Sequence, residues 1–239
     1  MTRQGMDFRR VMAALAAQRP IFHSEADFQH ALAWLIHEVR QEARVRLEIP
    51  RDIDGRRVHV DVWVEDGERL AIELKYLTSA VHADVAGEVF QLRNQAAQDL
   101  GRYDILKDLV RVERLVAAGM ADRGIVVALT NDSTYWRGPG RGTSPNYADL
   151  RLMEGRALNG TLAWGPATGD GTMRGREAPI ELRGKYVCEW MDYSVVASDP
   201  TKARFRFLLV EVAPLGAGCV SADWEPLRDI ASAPPDVPT

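Results

Sequence analysis

Three charged residues on two consecutive predicted strands have the types and the spacing that could do chemistry. Asp61 lies in the first strand, and Glu73 and Lys75 lie two residues apart in the second. Two neighbouring carboxylates bind a hard cation such as Mg²⁺ through their oxygen atoms. A lysine beside such an ion could orient or deprotonate a water molecule, or stabilise negative charge that develops on a phosphate. The same residues could instead form a cross-strand ion pair on a solvated sheet face, which is a common arrangement.

The two strands that carry these residues are predicted as a hairpin, over 57–64 and 69–77. In each strand apolar residues alternate with others, so each set lies on one face. A two-residue turn would pair the apolar residues of each strand with the alternating polar and small residues of the other. That pairing is unfavourable in a sheet with one buried face. A three-residue loop with Gly67 in the left-handed conformation places Val62 opposite Leu70 instead. This register predicts that all the valines share a face with the apolar residues of the second strand, and that the three charged residues lie together on the other face.

The elements that must position this hairpin are predicted from the periodicity of apolar residues. A short amphipathic helix is expected over 6–17. Ser24 is expected to precede a second helix, with Asp27 three residues on in a weaker form of the capping box. The other predicted elements are a strand over 43–50 closed by Pro50, a helical region over about 84–118 that bends near Gly101 and stops at Gly119, a buried strand over 124–130, loops over 138–176, and late strands over about 180–196 and 203–213.

Composition limits the class of protein. The chain has 239 residues, a net charge of −4 and 46% hydrophobic residues, which excludes a disordered chain. No uncharged apolar run approaches the roughly 20 residues of a membrane span, so we expect a soluble, cytoplasmic protein with no membrane partner. Two cysteines, Cys188 and Cys219, exclude a disulfide framework and a Cys-rich zinc site. The excess of acidic over basic residues is weak evidence against a general nucleic-acid-binding protein, since such proteins are usually basic.

The predicted elements form an α/β domain with four parts. They are an N-terminal helix over 1–20, an α/β core over 21–137, Gly-rich loops and a β-rich extension of the same domain over 138–230, and a flexible tail over 231–239. The predicted tail contains three prolines, and chain termini of that kind are commonly frayed.

The spacing Asp61-x11-Glu73-x-Lys75 resembles the core signature of the PD-(D/E)XK nuclease superfamily, which has the restriction-endonuclease-like fold. The core of that family has the order helix, three-strand meander, helix, strand, and the same order is predicted for residues 24–130. Val60 stands where the family usually has a proline. The resemblance is most specific over 22–137. Within that range, Tyr103-Asp104-x2-Lys107-Asp108 and Thr130-Asn131-Asp132-x2-Tyr135-Trp136 resemble segments of a large bacterial group within the superfamily.

This resemblance implies a Mg²⁺-dependent or Mn²⁺-dependent nuclease that hydrolyses phosphodiester bonds in nucleic acid, with DNA expected rather than RNA. Asp61 and Glu73 would bind the metal, with a contribution from the Leu74 carbonyl. Lys75 would position the attacking water, and Glu25 on the first core helix would complete the acidic cluster. Many such nucleases act as homodimers, which is the expectation here. The alternative is a catalytically inactive module of the same fold that binds nucleic acid or protein.

Four further residues are candidates for accessory roles. In this family the helix after the lysine often carries a polar residue that faces the site, and Gln95 and Asp99 lie one turn apart in the predicted helix. Asp99 could instead pair locally with a neighbouring arginine. Arg174 and Arg176 lie in the locally basic, Gly-rich segment and could contact the backbone of nucleic acid. The alternative for these two is that they are ordinary arginines of a surface loop.

Overall fold

A six-stranded sheet organises the computed structural model, which describes residues 5–95, 97–139, 146–197 and 200–214. The fold is mixed α/β, with a mostly antiparallel sheet and few helices. In chain order the elements are α1 (Phe8–Gln18), α2 (Glu25–Val39), β1 (Arg44–Ile53), β2 (Arg56–Glu65), β3 (Arg69–Leu77), β4 (Val81–Val85), β5 (Glu88–Leu92), α3 (Gln98–Ala117), β6 (Arg123–Thr130), a 3₁₀ turn (Ala148–Leu150), β7 (Ala157–Leu162), α4 (Asp170–Met173), β8 (Ile180–Val187), β9 (Trp190–Val195), α5 (Pro200–Ala203) and β10 (Arg204–Val212).

The strand order in the large sheet is β1-β2-β3-β6-β10-β9. Among the described strands, only β3 and β6 pair in parallel, and helix α3 lies on the connection between them, since parallel neighbours need a crossover. Helices α1 and α2 pack on one face of the sheet. Helix α3 and the separate β7–β8 hairpin cover the other face. Strand β3 is therefore buried between two layers, and a polar side chain on it must find its partners inside the protein.

Helix α2 begins where the sequence predicts. The Ser24 side chain accepts a hydrogen bond from the Asp27 amide at 3.1 Å, which satisfies one of the free N–H groups of the first turn. Phe28 and Leu32 are fully buried against the sheet, whereas Val39, at the last position of the helix, is 54% exposed. Because Glu25 occupies the first turn, this N-cap determines where its carboxylate meets the sheet.

The β2–β3 hairpin has the predicted loop length and a register shifted by two residues. Gly67 has the left-handed φ of 76°, and Asp66 N donates to Glu68 O at 3.0 Å across the loop. The loop thus spans 66–68 rather than 65–67, so Val62 pairs with Ile72 and not with Leu70. Side chains alternate between faces with a period of two, so this even shift preserves the predicted faces from Val62 onward.

The prediction that all the valines of β2 share one face was wrong. Val62 and Val64 pack on the α2 side of the sheet, but Val60 packs on the α3 side. The faces of β1 and β2 change at the same place, where the pairing is interrupted at Glu48 and Asp61. Glu48 has a left-handed φ of 51°, which is strained for a residue with a side chain. This kink places Asp61 at a break in the ladder rather than within a regular strand.

The predicted helix over 84–97 was also wrong, because residues 81–92 form the β4–β5 hairpin. Its turn residues, Ala86 and Gly87, both have positive φ, at 54° and 85°, as a type I′ turn requires. The Asp84 carboxylate accepts a hydrogen bond from the Gly87 amide at 2.9 Å. A short apolar run is compatible with both the helical and the strand periodicity. Here the turn residues Ala86 and Gly87 favour two strands over a helix. Helix α3 begins only at Gln98 and ends as predicted, before Gly119 with its φ of 63°.

Three other boundaries differ from the prediction. Strand β1 continues through Pro50 because it lies at the edge of the sheet, where a missing N–H can be tolerated. The predicted strand over 180–196 is two strands, β8 and β9, which belong to different sheets. The segment predicted as loops over 138–176 contains β7 and the short α4. The predicted tail over 231–239 lies outside the described residues. In the described ranges, no helix combines the length and the apolar character needed to cross a membrane.

Helix α3 docks on the sheet at Gly124, where a Cβ atom would lie 1.8 Å from Val112 Cγ1. We therefore expect Gly124→Ala to lower the free energy of unfolding by about 2 kcal/mol, because overpacking would push the helix away from β6. Gly169→Ala is the matched control, since nothing lies within 4 Å of its Cβ position and its φ is −70°. Urea denaturation of both variants measures the difference. Equal stabilities would contradict this close docking.

Candidate functional site

A cluster of ionisable side chains lies between β3 and the two helices α2 and α3. We call it the charged cluster. Its members are Glu25, Asp61, Glu73, Lys75, Asp108 and Arg111. The structure thus brings together all four residues that the sequence assigns to catalysis, and it adds two from α3.

Glu73 is the most enclosed member of the charged cluster, with 0% of its side chain exposed. Its Oε2 accepts a hydrogen bond from Arg111 Nη1 at 2.7 Å. Its Oε1 is also buried and has no hydrogen-bond partner among the residues that the structure describes. Burial, together with the charges of Asp108 and Asp61, raises the pKa of Glu73 well above its usual value. The hydrogen bonding of this buried carboxyl group is therefore incomplete among the described residues.

Lys75 is held on several sides. Its Nζ lies 2.7 Å from Asp108 Oδ2, 2.9 Å from the Leu74 carbonyl oxygen and 3.9 Å from Glu25 Oε1. Burial alone would lower the pKa of Lys75, but the charges of Asp108 and Glu25 outweigh that effect and raise it. The ammonium form is therefore stable at neutral pH, and Lys75 donates hydrogen bonds rather than accepting protons.

Asp61 joins β2 to β3 where the strands separate. Its Oδ2 accepts a hydrogen bond from the Leu74 amide at 2.7 Å. Its carbonyl oxygen accepts from Gln29 Nε2 at 2.7 Å, and the same Gln29 amide donates to Glu48 Oε1 at 2.8 Å. Gln29 on α2 therefore ties both residues of the kink together. Burial raises the pKa of Asp61 despite the hydrogen bond from Leu74 and the charge of Lys75.

Glu25 projects from the first turn of α2 toward the sheet. Its Oε2 accepts a hydrogen bond from the Tyr76 amide at 2.8 Å, one residue beyond Lys75. Burial raises the pKa of Glu25, although Lys75 acts in the opposite direction. Asp61 accepts from the Leu74 amide and Glu25 accepts from the Tyr76 amide. These two carboxylates therefore take the place of the backbone carbonyls of a neighbouring strand along β3.

The charged cluster has an excess of acid. Four carboxylates face two cations, so the fully ionised cluster carries an excess of two negative charges. Raised pKa values at Glu25, Asp61 and Glu73 are the expected response to burial with too little positive charge. A divalent cation would compensate this excess.

Hard divalent cations suit these donors. The free oxygen of Glu73 and the carboxylate of Asp61 are oxygen ligands, and Mg²⁺ is typically bound by one or two carboxylates while it keeps several waters. Within the described ranges, no group of three or more His, Cys, Asp or Glu residues is arranged to hold a metal ion. The described carboxylates therefore do not form a closed metal cage.

The other sequence candidates lie elsewhere. The backbone N–H of Gln95 donates to Thr78 O at 2.8 Å, and the side-chain Oε1 of Gln95 accepts from the Thr78 amide at 3.4 Å. Asp99 accepts from the Leu100 amide at the start of α3. Arg176 forms a two-bond ion pair with Asp104, at 2.8 and 2.7 Å, and Arg174 is exposed. In the described part of the chain, none of these four candidates makes a contact with the charged cluster.

Sequence reasoning missed three residues that complete the arrangement, namely Gln29, Asp108 and Arg111. Asp108 is only 4% exposed, and it lies on the same side of α3 as the apolar residues Ile105, Leu109 and Val112. A charged residue within a buried helical stripe is the signal that could have identified it. Gln29 likewise lies next to Phe28 on the buried side of α2.

Comparisons of this chain with protein-family models, with curated proteins and with solved structures give no match.

The charged cluster gives stability a predictable dependence on pH in the absence of metal. The native pKa of Asp61 is raised, so above about pH 4 the unfolded state releases this proton before the native state does. Stability therefore falls as pH rises toward the native pKa. Asp61→Asn removes this contribution. We expect the variant to gain stability relative to the wild type as pH rises above about pH 4, measured by urea denaturation with a chelator.

Asp122→Asn serves as the control of opposite sign. Its hydrogen bonds from Arg69 lower the pKa of Asp122, so its contribution to stability is present above the usual pKa and is lost as pH falls. This variant should therefore lose stability relative to the wild type as pH rises. If both variants show the same trend, the burial effect assigned to Asp61 is incorrect.

Proposed function

We propose that this protein is a metal-dependent nuclease of the PD-(D/E)XK type, which hydrolyses phosphodiester bonds in nucleic acid, preferably DNA. One observation carries the proposal. Asp61, Glu73 and Lys75 converge beside Glu25 in a cluster where four carboxyl groups face two cations, and one oxygen of the buried Glu73 has no hydrogen-bond partner in the described part of the chain. That is the chemical character expected of a Mg²⁺ site that acts on phosphate.

The order of elements supports a restriction-endonuclease-like core. Helix α2, the meander β1–β3, helix α3 and strand β6 follow one another in the order of that family's core, with the β4–β5 hairpin between β3 and α3. Strand β6 pairs in parallel with β3, the strand that carries Glu73 and Lys75. The carboxylate of Asp61 enters from the neighbouring strand, at the kink that follows Val60.

In this proposal Asp61 and Glu73 hold the ion. When bound, a divalent cation lowers the pKa of its water and polarises the phosphate oxygen. Lys75 stays protonated beside Asp108, so it orients the attacking water and stabilises charge on the phosphate by donating hydrogen bonds rather than acting as the general base. Glu25 adds a carboxylate at 3.9 Å from Lys75, where it can orient a second water.

Two residues of α3 hold the reactive groups in place. Asp108 contacts Lys75 and Arg111, at 2.7 and 3.1 Å, while Arg111 binds Glu73. These contacts restrict Lys75 and Glu73 to one geometry before substrate arrives, and such preorganisation is a major source of catalytic power. Asp108 is therefore a positioning residue.

An inactive binding module of the same fold is the second candidate. The observation that favours it is that Asp108 and Arg111 already pair with Lys75 and Glu73, as a purely structural ion network would. Metal-dependent cleavage distinguishes the two functions.

Cleavage of mixed DNA and RNA substrates tests the proposed nuclease. With Mg²⁺ or Mn²⁺, we expect Asp61→Asn, Glu73→Gln and Lys75→Met each to reduce the rate by at least about 10²-fold, because each removes a group that binds the ion or stabilises the developing charge. Asp99→Asn removes a carboxylate outside the charged cluster and should retain activity. A fully active Asp61→Asn protein would show that the cluster does not cleave nucleic acid.

The positioning role of Asp108 is tested by Asp108→Asn. We expect kcat to fall by about tenfold with little change in KM, because Lys75 keeps its charge but no longer has the carboxylate that orients it. Asp104→Asn, one turn earlier on α3, is the matched control and should keep kcat, since Asp104 pairs with Arg176 and not with the cluster. A rise in KM at constant kcat for Asp108→Asn would instead indicate a role in substrate binding.

A further inference from the structure

A groove of about 420 Å³ lies beside the charged cluster on the α3 side of the sheet. Helix α3 forms one wall, and the β1–β2 turn and the first residues of β8 form the others. Five of its lining side chains are cationic, and Glu181 is the one acidic residue among the described lining residues. The cations are Arg56, Arg57, Lys107, Arg111 and Arg114. In a chain with a net charge of −4, this is a strong local concentration of positive charge.

Most of this charge is available to a ligand. Arg56 and Arg57 at the β1–β2 turn and Lys107 on α3 are exposed, and none of them takes part in the ion pairs found among the described residues. Arg114 has a loose pair with Asp54, at 3.9 Å. Exposed cations without partners on opposing walls suit an anionic ligand that runs along the groove.

Arg111 connects the groove to the charged cluster. It lines the groove, and its Nη1 also donates to Glu73 Oε2 at 2.7 Å. An anion bound at Arg111 would therefore lie one side chain away from Glu73.

The groove favours contacts with a sugar–phosphate backbone over contacts with bases. Its apolar lining is aliphatic, from residues such as Ile53, Val58 and Val110. The aromatic ring of Tyr103 is already engaged, because it stacks on Trp164 with 5.8 Å between ring centroids and its hydroxyl donates to Ala178 O. Arginine guanidinium groups match phosphate oxygens in a two-bond geometry. The groove therefore offers positive charge along a strand, and no aromatic ring among its described lining residues is free to stack on a base.

We propose that this groove binds the phosphodiester backbone of nucleic acid, independently of sequence, and leads the strand to Glu73 and Lys75. The direction of the strand toward these residues rests on the proposed nuclease function, whereas binding in the groove does not. This surface differs from the one expected from the sequence at Arg174 and Arg176, since neither residue lines the groove and Arg176 pairs with Asp104.

The test measures binding without cleavage, in the presence of a chelator. Fluorescence anisotropy follows a short labelled DNA of mixed sequence, as single strand and as duplex, over a range of salt concentrations. The test variant is Arg56→Glu/Arg57→Glu. The matched control is Arg9→Glu/Arg10→Glu, another exposed pair of consecutive arginines, on α1 and thus on the opposite face of the sheet.

We expect the groove variant to bind the DNA at least about tenfold more weakly, and its salt dependence to fall by roughly one unit of slope for each phosphate that the variant no longer neutralises. The control should bind like the wild type. Lys107→Glu, a single change on the opposite wall, should weaken binding in the same direction and guards against a folding defect at the turn. Equal affinities for all variants, or equal losses of affinity in the groove and control variants, would overturn the proposal.

Two further arms separate this proposal from others. Competition by inorganic polyphosphate as effective as that by unlabelled DNA, at matched phosphate concentration, would overturn the assignment to nucleic acid. A protein that binds DNA through the groove but shows no metal-dependent cleavage would support the groove and contradict the nuclease. If the groove variant still cleaves nucleic acid with metal and its KM is unchanged, the proposed binding in the groove is wrong, whereas the proposed nuclease function is not affected.

Discussion

The fully buried carboxylate of Glu73 is the constraint on which the site depends. An ionised carboxylate inside a protein is costly unless charged partners and hydrogen bonds compensate it. Arg111 supplies one such bond, and Asp108 in turn fixes both Arg111 and Lys75. Helix α3 must therefore dock closely on β3 and β6, and Gly124 permits that approach. The compensation is incomplete within the described ranges, because one Glu73 oxygen has no hydrogen-bond partner there.

A second constraint acts on the opposite side of β3, where the β-ladder is broken in order to bring in acids. At the kink of β1 and β2, Gln29 binds both Glu48 and the backbone of Asp61, and Asp61 then occupies the Leu74 amide. Glu25 does the same at Tyr76. Backbone strain and side-chain replacement of strand partners are concentrated at one place in the fold, which is characteristic of functional sites. Regular backbone hydrogen bonding between β2 and β3 thus ends where carboxylates are placed around Lys75.

The sequence was sufficient for features that depend on periodicity and local signals. Alternation in β2 and β3 placed Asp61, Glu73 and Lys75 near one another, and the Ser24 cap and the apolar stripe turned Glu25 toward the sheet. Long-range pairing was not accessible. The face change at Val60, the partners of Asp108 and the groove at Arg56 all depend on which elements meet in three dimensions. The β4–β5 hairpin was missed because its short apolar pattern fits a helix equally well.

Calorimetric titration of Mg²⁺ and Mn²⁺ into the wild type and into Asp61→Asn/Glu73→Gln tests the central claim most directly. The claim is that the charged cluster is an incomplete ion network which a divalent cation completes. It predicts one metal-binding event in the wild type that is absent from the variant, while both proteins show the same circular dichroism spectrum. Absence of metal binding by the wild type, or unchanged binding by the variant, would contradict it and would leave these residues as a structural ion cluster.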